Sequence, residues 1–197
     1  MIVVYECLVR ECPQETSLVE WLAAELPYAW LEAYQVMDDR CPNVVSVTHG
    51  LFTYWYDYAS DASTGEDSRY EDRLMGVFGT SGPPLRVREA SRLRGWIGPT
   101  EAVLGGSFDK GHFIAQCIGG IIDGAEINLF VQNRALNRGH SVEGKRYRAM
   151  ERYCEQHHGT FCFARALYGD MTSRPSAIEL GILRPDNTLW TEVFANS

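Results

Sequence analysis

"FDKGHFIAQCIGGIIDGAEINLFVQNRALNRG", residues 108–139, decides how this chain is read. Gly111 stands directly before His112, and glycine permits either an unusual backbone angle or a close approach that a side chain would block. Asp109-Lys110-Gly111-His112 therefore reads as the end of a strand that turns its imidazole toward a cleft. One histidine alone would more often be a packed or surface residue than a catalyst. The sequel changes that reading: Asn128, Gln132 and Asn137 follow in the spacing NxxxQxxxxN, and Glu151 stands beyond them in a helical stretch. Neutral amide oxygens suit a hard divalent cation such as magnesium, which keeps most of its waters and accepts few protein ligands.

Cations surround this window. Arg86, Arg88, Arg92 and Arg94 precede it, and Arg134, Arg138, Lys145, Arg146, Arg148 and Arg152 lie within or after it. The net charge of −8 conceals this, because residues 1–72 hold fourteen Asp/Glu against three Lys/Arg, whereas residues 73–197 hold twelve against fifteen. A polyanion responds to the field near its site rather than to whole-chain charge, so a basic surface beside an acidic remainder is compatible with a nucleic acid.

Outward from the window, the chain reads as α+β with a central, mainly antiparallel sheet and flanking helices. The β-branched start "MIVVYECLV" predicts a strand. Apolar residues at Leu18, Trp21, Leu22, Leu26, Trp30, Leu31 and Tyr34 keep helical spacing around Pro27, which predicts two short helices or one kinked helix. "NVVSVTHG", "LFTYWYDYAS", "RLMGVFGT", "LRVREASRL", "TFCFARALYG", "SAIELGIL" and "TLWTEVFAN" predict strands, the last two joined as a hairpin through "RPDN". "EGKRYRAMERYCEQHH" places Tyr147, Met150, Cys154 and His157 on one helical face. The polar, turn-rich residues 60–72 suggest a boundary between an acidic N-terminal αβ extension, 1–72, and a second unit, 73–197, with the early strands completing one sheet.

The ordered motifs DxGHxIA (Asp109 to Ala115), Gly119-Gly120, NLxxQ (Asn128 to Gln132) and LNRG (Leu136 to Gly139) resemble the core of the DNA/RNA non-specific endonucleases. These are the ββα-metal, DRGH-motif nucleases, and the match is to the bacterial branch related to endonuclease G, over about residues 85–170. The resemblance implies a ββα-metal core and a magnesium-dependent hydrolase of phosphodiester bonds in DNA and RNA, with manganese as a substitute. It implies that His112 is the general base and that Asn137 ligates the ion. Asn128 would support the histidine loop, with Gln132 in its partner position. Glu151 would hold metal-bound water, Asp109 would orient the motif and Lys110 would contact phosphate. Arg92, Arg94, Arg134, Arg138 and Arg148 are the candidate nucleic-acid contacts. Lys110 replaces the family's arginine, which exchanges a bidentate fork for a compact ammonium. Thirteen residues separate Asn137 from Glu151, a longer interval than the family's.

The chemistry agrees with the resemblance. Phosphodiester hydrolysis needs a base for water and a cation for the charge that builds on phosphate and leaving oxygen. Histidine, with an ordinary pKa of about 6.5, can accept that proton when neutral. No helix-turn-helix, zinc-finger or RNA-recognition signature points to sequence-specific binding.

Six cysteines include no CxxC pair and no zinc-finger spacing, so reduced and mostly buried thiols are expected. No apolar run approaches the roughly 20 residues that span a bilayer, and no membrane association is expected. The N-terminal stretch does not read as a secretory signal, so a cytoplasmic protein is expected, with a leaderless route if it is exported. A nuclease in that position is expected to be gated, as a defence effector or a toxin with a regulatory or immunity protein as partner. From a different class comes the alternative of an interaction module whose acidic N-terminal part engages a partner, the nuclease-like motifs serving as scaffold.

Overall fold

The structure, a computed structural model, describes residues 3–37, 42–58, 71–85, 106–121 and 126–197. It is an α+β fold built on a six-stranded sheet with helices on both faces. The strands are β1 (Val44–His49), β2 (Phe52–Asp57), β3 (Arg73–Thr80), β6 (Phe161–Leu167), β7 (Ala177–Leu183) and β8 (Leu189–Ala195), in that order, every neighbour antiparallel. A separate two-stranded ladder joins β4 (Phe108–His112) to β5 (Leu129–Asn133). Two helices follow it, α3 (Arg134–Arg138) and α4 (Val142–Gln156). The whole excursion β4–β5–α3–α4 thus leaves the sheet after β3 and returns at the adjacent strand β6.

The start of the chain differs from the sequence expectation. Residues Tyr5–Glu11 form helix α1 rather than a strand. Strand propensity ends with Val4, and the helix is set by tertiary anchoring: the Tyr5 hydroxyl donates to the buried Glu179 carboxylate and accepts from Trp30 Nε1 at 3.2 Å. Glu6 in its first turn and Arg10 in its last suit the helix dipole. Helix α2 (Leu18–Met37) runs through Pro27 as one element. Proline inside a helix costs ~3 kcal/mol or more, and the fully buried Leu22, Leu26 and Trp30 on the inner stripe offset it.

The sheet separates two apolar layers. On one face, Trp30 and Tyr5 pack on Phe163, and Trp30 packs on Phe78. Buried Arg165 pairs with Glu179 on this face at 3.3 Å. On the other face, Tyr147, Met150 and Cys154 of α4 meet Cys162, Leu180 and Ile182 beside Phe113 and Ile114. The helical stripe predicted for α4 is buried at Tyr147, Met150 and Cys154, whereas His157, at the C-cap, is exposed. The "RPDN" hairpin forms as expected, closed by Arg184 N–H donating to Thr188 O at 2.9 Å, with Asn187 at positive φ.

The division suggested at residue 72 falls between β2 and β3, which are paired neighbours in one sheet. The loop proposed there lies mostly outside the described residues, as does the strand proposed after Leu85. Among the described cysteines, Cys154 and Cys162 are buried, Cys12 and Cys117 half-buried and Cys7 exposed. No helix among the described residues is long and apolar enough to cross a membrane.

Candidate active site

The ladder register sets the site. Asp109 faces Gln132, Gly111 faces Phe130 and His112 faces Leu129. Gln132 is 1% exposed, and a Cβ added at Gly111 would lie 2.2 Å from its Oε1 and 2.5 Å from its Cβ. The glycine before the histidine is thus required by close approach to a neighbouring side chain, at ordinary negative φ. The Tyr147 hydroxyl of α4 lies against Gln132, and burial pushes it far above its ordinary range, so it stays protonated.

His112 ends β4 half-buried, with Nε2 shut off from solvent. The chain after it is held by Asn128, which is fully buried. The Asn128 Oδ1 accepts from Ile114 N at 2.9 Å, while Nδ2 donates to Ile114 O at 3.0 Å and Ile121 O at 2.8 Å. Its own carbonyl accepts from Phe113 N at 3.0 Å. One amide side chain therefore pins the turn that carries Phe113 to Ile121 onto the start of β5.

Helix α3 is capped at its start by Asn133, whose Oδ1 accepts from Leu136 N at 3.0 Å, and at its end by Gly139 in a left-handed conformation. It presents Arg134, Asn137 and Arg138 to the Asp109 carboxylate. Arg134 Nε reaches Oδ1 at 3.0 Å, Asn137 Nδ2 reaches Oδ2 at 3.3 Å, and Arg138 closes on both oxygens at 2.7 and 2.9 Å. Burial pulls the Asp109 carboxyl upward, but these hydrogen bonds and the guanidinium charges win and hold it below its ordinary value. Asn137 and Asp109 are therefore brought together, strand against helix.

Helix α4 crosses α3 closely, because Gly144 leaves its Cβ position 2.4 Å from Ala135 O, where no side chain fits. On α4, Arg148 Nη1 donates to Glu151 Oε2 at 2.5 Å. Glu151 borders the same pocket as Phe113, Ile114, Ala115 and Ile118, and so lies on the flank of the chain that follows His112. Burial pushes its carboxyl up, against the pull of Arg148.

Three of the candidate nucleic-acid contacts are committed to ion pairs among the described residues. Arg134 and Arg138 are ion-paired to Asp109, and Arg148 to Glu151, with 24%, 50% and 46% of those side chains still accessible. Lys110 stands on β4 opposite Val131, half-buried. Arg92 and Arg94, with Arg86 and Arg88, lie outside the described residues. Among the described residues no three His, Cys, Asp or Glu side chains gather as a metal cage. Sequence reasoning missed Asn133 and Asn196. Asn133 carries a local signal, an asparagine directly before a helix. Asn196 carries none.

No family model and no curated protein matches this chain. Among solved structures the chain is similar to the structure of Sda1 nuclease with bound zinc ion, at 17% identity. That similarity covers 79% of this chain and 74% of the other, with a TM-score of 0.37.

Proposed function

We propose that this chain is a metal-dependent endonuclease that hydrolyses phosphodiester bonds in DNA and RNA with little sequence preference. The observation that carries the reading is the orientation of Asn137. Its Nδ2 is turned to the Asp109 carboxylate, which as an ionised group can only accept, so Oδ1 is left as an oxygen donor beside the histidine-bearing strand. Asp109 is itself offset by two guanidiniums, which leaves a donor set of the oxygen-rich, charge-poor kind that a hydrated magnesium or manganese ion accepts. Asn137 is the residue that would hold such an ion. The ion, when bound, supplies positive charge for the phosphate and the leaving oxygen.

The chain's own residues do the rest. His112 is the residue assigned to take the proton from the attacking water. Asn128 fixes the turn behind the imidazole, Asp109 orients Asn137, and Glu151 is the carboxylate assigned to orient water from the α4 side. Lys110, Arg134, Arg138 and Arg148, with Arg92 and Arg94, would meet the sugar-phosphate backbone, which gives affinity without base reading and a steep fall with salt. Such an enzyme would act as a gated defence effector or a toxin.

The test is incubation with plasmid DNA and with RNA, in magnesium, manganese or EDTA, alongside His112→Ala. Cleavage that needs the metal and falls about 10²- to 10⁴-fold in the variant is the expected result. Intact nucleic acid under every condition ends the reading.

A further inference from the structure

Helix α3 has five residues, and a helix much shorter than ~12 residues does not hold itself together in water. The direction in which it presents Asn137 therefore comes from what the helix is fastened to: Asp109 along its length, and the partners of its ends. At its start, Asn133 caps the helix through Oδ1. The same residue is gripped from outside the excursion: its backbone N–H donates to Asn196 Oδ1 at 2.7 Å, and its Nδ2 donates to Ser197 O at 2.6 Å.

Asn196 directly follows β8 and is 1% exposed. Its Nδ2 donates to Val131 O at 2.8 Å and to Pro175 O at 2.8 Å, so both amide hydrogens and the amide oxygen are in use. In a strand, the C=O of one residue and the N–H two residues on point to the same side. Val131 O and Asn133 N are such a pair on the side of β5 away from β4. The Asn196 amide engages both as the peptide group of an adjoining strand would, and its second hydrogen ties that edge to Pro175 before β7. Its backbone N–H donates to Ser176 O at 2.8 Å.

We infer that Asn196 is a positioning residue for the site: its side chain locks the β5–α3 junction to the six-stranded sheet and so sets where Asn137 stands relative to His112. This rests on the proposed function for its consequence, but the mechanical link is independent of it. Among the described residues β5 pairs only with β4, so no strand pairing joins it to the six-stranded sheet.

The experiment compares the full chain with Asn196→Ala by amide hydrogen exchange, read by mass spectrometry, and by calorimetric titration with manganese. Exchange should quicken at residues 134–138 while β6 and β7 stay as protected as before, and the manganese dissociation constant should rise about tenfold, the effect of losing an outer support of a ligand. A merely structural role would speed exchange evenly and leave the manganese constant of the folded protein unmoved, and that result overturns the inference. Unchanged exchange at 134–138 overturns it as well. Should wild-type protein take up no manganese, the nuclease reading fails, and the exchange pattern alone decides whether the clamp stands. If Asn196→Ala does not fold, Asn196→Ser, which leaves room for a bridging water, carries the same two readouts.

Discussion

Asn137 on α3 gives an amide hydrogen to Asp109 on β4 at 3.3 Å, so one hydrogen bond fixes both which way the amide points and how the short helix docks on the strand. Arg134 and Arg138 bind the same carboxylate from either side. Asp109 thereby acts as the hub that three residues of one face of α3, at i, i+3 and i+4, share.

Asp109→Asn tests that hub. The variant keeps the shape but turns an acceptor-only group into one that also donates, leaving two guanidiniums uncompensated. Manganese affinity is expected to fall by about 10- to 100-fold, as when the partner of a metal-orienting side chain is removed. The partly exposed ion pairs with Arg134 and Arg138 contribute about 1 kcal/mol or less each. Titration calorimetry and urea denaturation on the same preparation separate the two, and an unchanged metal affinity would refute the orientation argument.

Asn128→Ala should behave in the opposite way, costing mainly stability. The change strands the N–H and C=O of Ile114 and the C=O of Ile121 inside the protein. Unsatisfied buried groups cost about 1–3 kcal/mol each, and partial relaxation makes about 3 kcal/mol the expected total in urea denaturation. A loss under ~0.5 kcal/mol would mean that the turn after His112 is held by something else.

Gly111→Ala is expected to destabilise by about 1–3 kcal/mol through overpacking against Gln132. Adding Gln132→Ala should recover part of that loss, because it removes the amide oxygen that the new methyl meets but not the Gln132 Cβ. Thermal denaturation of the two single variants and the double variant gives the coupling directly. Strict additivity would place the clash elsewhere.

These residues mark how far the sequence could be read. Strands β2, β3 and β6–β8, the "RPDN" turn and the buried stripe of α4 were legible because each rests on local residue types: strand-forming runs between turn residues, or apolar residues at helical spacing. Asp109, Asn128 and Asn137 were legible only as members of ordered motifs. The helix over Tyr5–Glu11 was misread as a strand because its decisive interactions, to Trp30 and Glu179, lie 25 and 174 positions away. Asn196 was invisible for the same reason: its partners Val131 and Asn133 stand 65 and 63 positions back. The basic window also looked stronger than it is, since a sequence shows Arg134, Arg138 and Arg148 but not the carboxylates that they face.

Glu151 provides a prediction whose sign is opposite to the usual one for a carboxylate in an ion pair. Burial raises its carboxyl above the ordinary value despite Arg148. Above the ordinary carboxylate range the unfolded chain has already released this proton while the folded chain still holds it, so Glu151 makes stability fall as pH rises through that interval. Glutamine carries no such proton. In EDTA, Glu151→Gln should therefore show a flatter stability curve from the ordinary carboxylate range upward and be at least as stable as wild type at neutral pH. Arg148, 46% accessible, can turn to water when its partner's charge is gone. Cleavage should nevertheless drop, because the proposed role needs the charge that folding disfavours. Urea denaturation across pH, set beside cleavage assays, reads both. A variant that is less stable at neutral pH and has the steeper curve would show that the Arg148 pairing outweighs burial, and would remove the reason to regard this carboxylate as kept at a cost for function.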